Sequence, residues 1–249
     1  MAYGFDQETA AVLLSRYAIF KTFSEDAMDV IRWLDRMLIK LVAKFAEYKK
    51  DDPKSFKLSR EFSLFPQFMF YLRRSPFLQT FNASPDESQY YVSMIMRENV
   101  SNSLVMIQPA LMSYDLESEQ ATPVLLDIDS MKNNVILLLD TFFYVCIWKG
   151  DTIDKWEQAN YQDDPQFENF KALLEAPVED AKYIMQERFP MPRFFITKPN
   201  DTNERKVKVK VNPSSLNSNN TIVQDGNYFT EDVSLSLFMQ HLVRMAVQS

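Results

Sequence analysis

Apolar residues recur every three or four positions through the first hundred residues and then change step, and that change divides the chain. Asp6 is placed to cap a helix carrying Val12, Leu13, Tyr17 and Phe20, and Ser24 to cap a longer one with Met28, Ile31, Leu34, Leu38, Leu41, Val42 and Phe45. Both stripes are expected to face a core. The stretch Lys49-Lys50-Asp51-Asp52-Pro53 stops the second helix, since proline disfavours helical backbone in the residue before it. A short aromatic helix is expected around Pro66–Leu72. The run Ser84-Pro85-Asp86-Glu87 then combines a serine cap, proline at the first helical position and acids in the first turn, and predicts a helix to about Asn99.

After about residue 108 the runs become short and apolar, divided by polar turns, as buried strands are: Val124–Asp127, Asn134–Asp140 and Phe142–Trp148. Helices are expected at about 151–158, 166–175 and 177–188, the last opened by Pro177. Arg193–Thr197 is expected to be a strand. So is Arg205–Val211, whose valines and lysines alternate with period two. Residues 214–227 are rich in Ser and Asn and expected to be mobile, and Thr230 to cap a final amphipathic helix through Leu235, Phe238, Leu242 and Met245. The fold class is α+β, with an all-α part to residue 106 and a mixed part over 107–249.

Composition removes several chemistries. With 46% hydrophobic residues in 249 the chain can bury a core, and a net charge of −7 gives no basic face for nucleic acid. No apolar run approaches the roughly 20 residues that span a bilayer, and the first thirty residues lack the pattern of a secretory signal. Three glycines, Gly4, Gly150 and Gly226, cannot build a phosphate-cradling loop. One histidine, His241, and one cysteine, Cys146, cannot complete the usual zinc sites, and no metal or cofactor is expected. Cys146 sits in an apolar run and reads as a core residue of a protein from a reducing compartment; His241 reads as a structural or surface residue.

Three groups of residues have open readings. The acid pairs Asp51-Asp52 and Asp163-Asp164 lie beside prolines, where turns and caps use carboxylates, and glycosidase-type chemistry would demand a separation that sequence does not give. The cluster Arg205, Lys206, Lys208 and Lys210 is either a solvated face or a contact for an acidic partner. Tyr161, Phe167, Phe170 and Lys171 either frame a shallow aromatic groove for a proline-rich peptide, or contribute Phe167 and Phe170 to the core face of a helix.

The segments Val30–Leu38, Phe65–Ser75 and Asn82–Ser88 resemble the helical domain of the GTPase-activating inner-coat subunit family of the COPII vesicle coat. Ile136–Phe143, Glu168–Pro177, Arg188–Arg193 and Asp232–Leu235 are similar to that family's gelsolin-like domain, in which a central sheet is flanked by helices. The resemblance covers nearly the whole chain and implies a helical domain over 1–106 and a gelsolin-like domain over 107–249.

It also implies a function. Family members bind the small coat GTPase in its GTP state on the endoplasmic reticulum, pair with a second inner-coat subunit through a trunk region, and accelerate hydrolysis with an arginine inserted in trans during ER-to-Golgi transport. That arginine falls on Arg205, ahead of Val211-Asn212-Pro213-Ser214, with Arg193 the other candidate. Proline-rich segments of the outer coat dock near the positions of Phe167 and Lys171. Where the family has paired glycines before the finger, this chain has Asn200-Asp201-Thr202-Asn203-Glu204, and where a tyrosine is usual it has Phe167. The family's zinc-binding, trunk and β-sandwich regions are missing. The chain is therefore expected to be a fragment of a cytoplasmic coat protein peripheral to ER exit sites, not an enzyme itself, and weak or inactive as an activator alone. A gelsolin-type actin- or calcium-binding module is the alternative.

Overall fold

Short polar side chains fix where the first helices begin. The computed structural model describes residues 4–79, 83–118, 120–211 and 233–248. The Asp6 carboxylate accepts the N–H groups of Glu8 and Thr9 at 3.1 Å and starts α1 (Gln7–Lys21). Ser24 does not cap α2 (Ala27–Phe45): Asp26 does, taking the Met28 N–H at 2.8 Å. Ser84 accepts the Glu87 N–H and opens α4 (Pro85–Arg97), as expected. Thr230, residues 214–227 and Asn212-Pro213-Ser214, for which a cap, a mobile segment and a motif were expected, lie outside the described residues.

The chain folds as two units, Met1–Gln108 with Ser215–Ser249, and Pro109–Ser214. In the first, α2, α3 (Phe65–Arg73) and α5 (Val100–Ile107) surround a core that includes Leu34, Leu38, Phe62, Phe70 and Leu72. The α1 stripe predicted to face this core does so only at Val12. Leu13, Tyr17 and Phe20 are exposed, and the buried face is Ala11, Val12, Ser15, Ala18 and Ile19. Small residues let α1 approach closely, and Arg16 locks the register by donating to the carbonyls of Ile95 and Glu98 and to the Ser103 hydroxyl. The charged stretch Lys49–Pro53 was expected to stop α2, but the helix already ends at Phe45; the stretch instead turns a hairpin, β1 (Ala46–Lys49) with β2 (Asp52–Leu58), through a left-handed Asp51.

The last helix, α9 (Leu235–Gln248), belongs to this unit, which corrects its assignment to the second domain. Phe238, Leu242 and Ala246 are fully buried, the Phe238 ring lies 5.2 Å from Phe70, and the Asp51 N–H donates to the Val247 carbonyl at 3.2 Å. An ion pair is buried beside it, Arg73 Nε to the Asp35 carboxylate at 2.8 Å. The hydrophobic stripe of α9 was legible; its destination is a long-range packing choice that periodicity does not encode.

Among the described residues the second unit is built on a five-stranded sheet in the order β4–β3–β5–β6–β7: β3 (Ala110–Tyr114), β4 (Thr122–Pro123), β5 (Ile136–Asp140), β6 (Tyr144–Lys149) and β7 (Arg193–Thr197). All pairings are antiparallel except β6 with β7. Val124–Asp127, expected as a strand, is mainly loop following the two-residue β4. Packed against β5 and β6 is α7 (Glu168–Gln186), one helix where two were expected. Pro177 lies inside it. A mid-helix proline costs about 3 kcal/mol, here set against burial of Phe170, Leu173, Pro177 and Ala181 on the face toward the sheet.

Arg205–Val211 is a further correction, because α8 (Glu204–Lys208) stands where a strand was expected. Val207 and Val211 are buried and Val209 is exposed. Valines at alternate positions also place every second one four residues apart, so a short run satisfies both periods. Packing chose the helix, and the Val211 N–H donates to the Val207 carbonyl.

At Gly150, which precedes α6 (Asp151–Gln158), an added Cβ would lie 2.3 Å from the Asn133 carbonyl oxygen and 2.5 Å from that of Lys132. Both obstacles are backbone, so Gly150→Ala is expected to destabilise the protein by about 2–3 kcal/mol. Urea denaturation checks this, and a midpoint equal to wild type would refute it.

Candidate functional site

Arg205 sits in the first turn of α8, after the loop that follows β7. Its side chain is exposed and makes no ion pair or hydrogen bond among the described residues. The acid next to it does not neutralise it. Glu204 is buried, pairs with Lys208 at 2.8 Å and accepts the Asn200 N–H at 3.1 Å. Asn200 itself holds a left-handed conformation, φ 66°, a backbone state that asparagine tolerates better than most residues without glycine's freedom. Asp201 accepts the Thr197 hydroxyl, and its carboxyl is held below the usual range by that bond.

Other arginines of this unit differ in availability. Arg188 is committed: its guanidinium donates through both terminal nitrogens to the Asp140 carboxylate, which also takes the Phe142 N–H at 2.9 Å, and it lies over the Phe142 ring. Phe142 is left-handed, φ 70°, so the pair pins a strained turn between β5 and β6. Arg193, at the start of β7, is exposed like Arg205. Lys206 lies 4.8 Å from the Phe195 ring centroid. The predicted basic cluster is thus split: Lys208 is bridged to Glu204, and Arg205 points free.

The aromatic candidates also divide. Tyr161 and Phe167, 39% and 40% exposed, stack with ring centroids 5.1 Å apart at 21°. Phe170 does not join them; it is 2% exposed, edge-on to Trp156 at 5.8 Å, in the core under α7. Lys171 is exposed one turn along α7 from Phe167. Two turns position the rings: a left-handed Asn160 precedes the Tyr161–Asp163 turn, and Asp164 caps the Pro165–Phe167 turn by accepting the Gln166 N–H. Asp164 is thereby a capping residue, and Asp52 similarly accepts the Lys54 N–H in the hairpin. The arrangement is a flat aromatic shelf of two stacked rings, able to receive proline rings.

Beside α7 lies a cavity of about 520 Å³ that sequence reasoning did not find, bordered by Tyr114, Leu116, Ala121, Leu173 and Asp180. The Tyr114 hydroxyl donates to Asp180 at 2.6 Å, and burial followed by this bond pushes its pKa up. No local motif signals it, because its walls come from segments some sixty residues apart in sequence. The Cys146 thiol is fully buried in β6 and pushed up to about 12 by desolvation, as suits a core residue. Among the described residues no helix is long and apolar enough to cross a membrane.

Residues 6–105 match the Sec23/Sec24 helical domain, and residues 117–205 match the gelsolin repeat. The fold is similar to that of the human COPII-coat protein Sec24c in its crystal structure, with a TM-score of 0.73 at 15% sequence identity. That likeness covers 98% of this chain and 32% of the other, so the chain spans about a third of that protein's length.

Proposed function

We propose, for a chain that carries a Sec23/Sec24-like helical and gelsolin-like region, a role in the COPII coat: it supplies Arg205 in trans to the small coat GTPase and offers the Tyr161–Phe167 shelf to proline-rich coat segments. The observation that supports it is the exposed, uncommitted guanidinium of Arg205 on α8, next to an acid occupied elsewhere. A guanidinium placed on the transferred phosphoryl group offsets the charge that develops there, and this needs no nucleotide-binding loop in the activator. The chain is then an activator and not an enzyme. Its place is the cytoplasmic face of ER exit sites, with the second inner-coat subunit joined through a trunk region outside this chain. The reading is tested by single-turnover GTP hydrolysis with the full-length subunit, with Arg205 and Arg193 each changed to alanine.

The shelf is tested separately. A fluorescent peptide containing three consecutive prolines is expected to bind the protein, and Phe167→Ala to weaken binding by about tenfold, the scale of one aromatic contact. Phe167 is exposed, so the substitution leaves the core intact. Unchanged anisotropy titrations would remove the shelf from the proposal.

A second reading follows from the gelsolin-repeat match over 117–205, an actin- or calcium-binding module. Co-sedimentation with actin filaments, with and without calcium, separates the two. Calcium-dependent pelleting would favour this second reading over the coat role.

A further inference from the structure

The outer strand β7 carries the feature of the second unit least explained by its own packing. Among the described residues it pairs on one side only, with β6. The Arg193 N–H donates inward to the Phe143 carbonyl at 3.1 Å. Backbone groups alternate in direction along a strand, so Arg193, Phe195 and Thr197 bond toward β6, while Phe194 and Ile196 turn their N–H and C=O outward. Neither has a hydrogen-bond partner there among the described residues.

Side chains make this edge more than a bare backbone. Phe194 and Ile196 stand opposite Val145 and Ile147, which lie in the core beneath α7. They continue that apolar row past the helix, and remain 37% and 43% exposed. The opposite face is cationic. Arg193 is exposed on it, and Lys206 lies over the half-buried ring of Phe195; neither makes an ion pair among the described residues. Unpaired strand edges are templates for another strand, and natural proteins usually blunt them. This one is apolar on one face and positive on the other.

We propose that β7 is a docking edge for an extended partner segment in which apolar and acidic residues alternate. Such a segment adds a sixth strand: its backbone pairs with Phe194 and Ile196, its apolar side chains cover that exposed row, and its carboxylates meet Arg193 and Lys206. The partner's period of two follows from the pleat, and its charge from two cations that no carboxylate neutralises among the described residues: Arg193, and Lys206, whose ammonium donates to Asn203 Oδ1 at 3.0 Å. A five-residue edge is a small contact, so the interaction belongs to the weak, transient class. It is separate from the aromatic shelf and does not depend on Arg205.

The test uses the 249-residue protein and a fluorescein-labelled peptide of alternating glutamate and valine. Controls are a peptide of the same composition in two blocks and the alternating peptide with a fully N-methylated backbone. The alternating peptide is expected to bind at least about tenfold more tightly than either control and to slow exchange of the Phe194 and Ile196 amides. Ile196→Pro removes an outward N–H while sparing the bonds to β6, and is expected to weaken binding about tenfold or more. Arg193→Glu, at an exposed site, is expected to weaken it several-fold and reduce its salt dependence. Equal binding of the N-methylated peptide would overturn the proposal, as would binding indifferent to both substitutions. Sedimentation showing the edge already taken by a second copy of the chain, in competition with the peptide, would also overturn it.

Discussion

With Arg205 replaced by alanine in the full-length subunit, single-turnover GTP hydrolysis by the cognate coat GTPase is expected to slow by roughly three orders of magnitude or more, with binding nearly unchanged. An arginine supplied in trans contributes about 10³–10⁵ in rate, or about 4–7 kcal/mol of barrier. It acts on charge that develops only in the transition state, which is why affinity for the GTP-bound ground state is spared. Arg205→Lys is expected to recover little, because an ammonium lacks the planar fork that bridges two oxygens. Arg193→Ala is the companion measurement: if its loss is the larger, the finger is Arg193, and Arg205 is a solvated charge on α8. Glu204→Gln bears on the same point, since Glu204 ties Asn200 to Lys208 and so shapes the loop ahead of the arginine.

The second large effect is on stability. Asp140→Ala is expected to destabilise the protein by about 3–5 kcal/mol, the scale for removing one partner of a buried ion pair. That is a sizeable part of the roughly 5–15 kcal/mol that holds a domain folded. The Arg188 guanidinium would stay behind, nearly buried, without its two carboxylate bonds, and the Phe142 N–H would lose its acceptor in a turn that needs a positive φ. A double change, Asp140→Leu with Arg188→Met, removes both charges and is expected to cost less than Asp140→Ala alone. Urea denaturation of the three proteins decides it; a double variant less stable than Asp140→Ala would show that the turn geometry, and not the orphaned charge, dominates.

What could be read from the residues in order was local. Asp6, Ser84 and Pro85 declare helix starts because a cap is a contact between neighbours, and β5 and β6 declare themselves because strands buried on both faces are apolar throughout. Distant partners decided the rest. The α1 residues Leu13, Tyr17 and Phe20 have the right spacing for a core stripe, yet the turn of the helix is set by Arg16 and by small residues packing where large ones would not fit. Val207, Val209 and Val211 fit two periods, and burial of two of the three selects the helix. Pro177 has a strong local preference to start a helix, and the apolar face running through it overrides that preference.

The candidate site was legible to the same degree. Arg205 was reached through its resemblance to a coat family, and the structure adds that its charge is uncommitted. Tyr161 and Phe167 could be named from an aromatic cluster, but separating Phe167, stacked at the surface, from Phe170, buried three residues on, requires knowing where α7 begins. The outward edge of β7 carries no motif at all, since being outermost in a sheet is a property of topology.

The return of α9 to the first unit bears on how the protein is made. The helices at the start of the chain leave a gap that Phe238, Leu242 and Ala246 fill, and these residues are synthesised more than a hundred positions after α5. Domains generally fold as their residues emerge from the ribosome, so the second unit can finish before the first. Until α9 arrives, the nascent chain presents Phe70 without its partner ring, a sticky surface for chaperones to shield, and any premature stop upstream of α9 produces a polypeptide whose defect shows at the opposite end from the lesion.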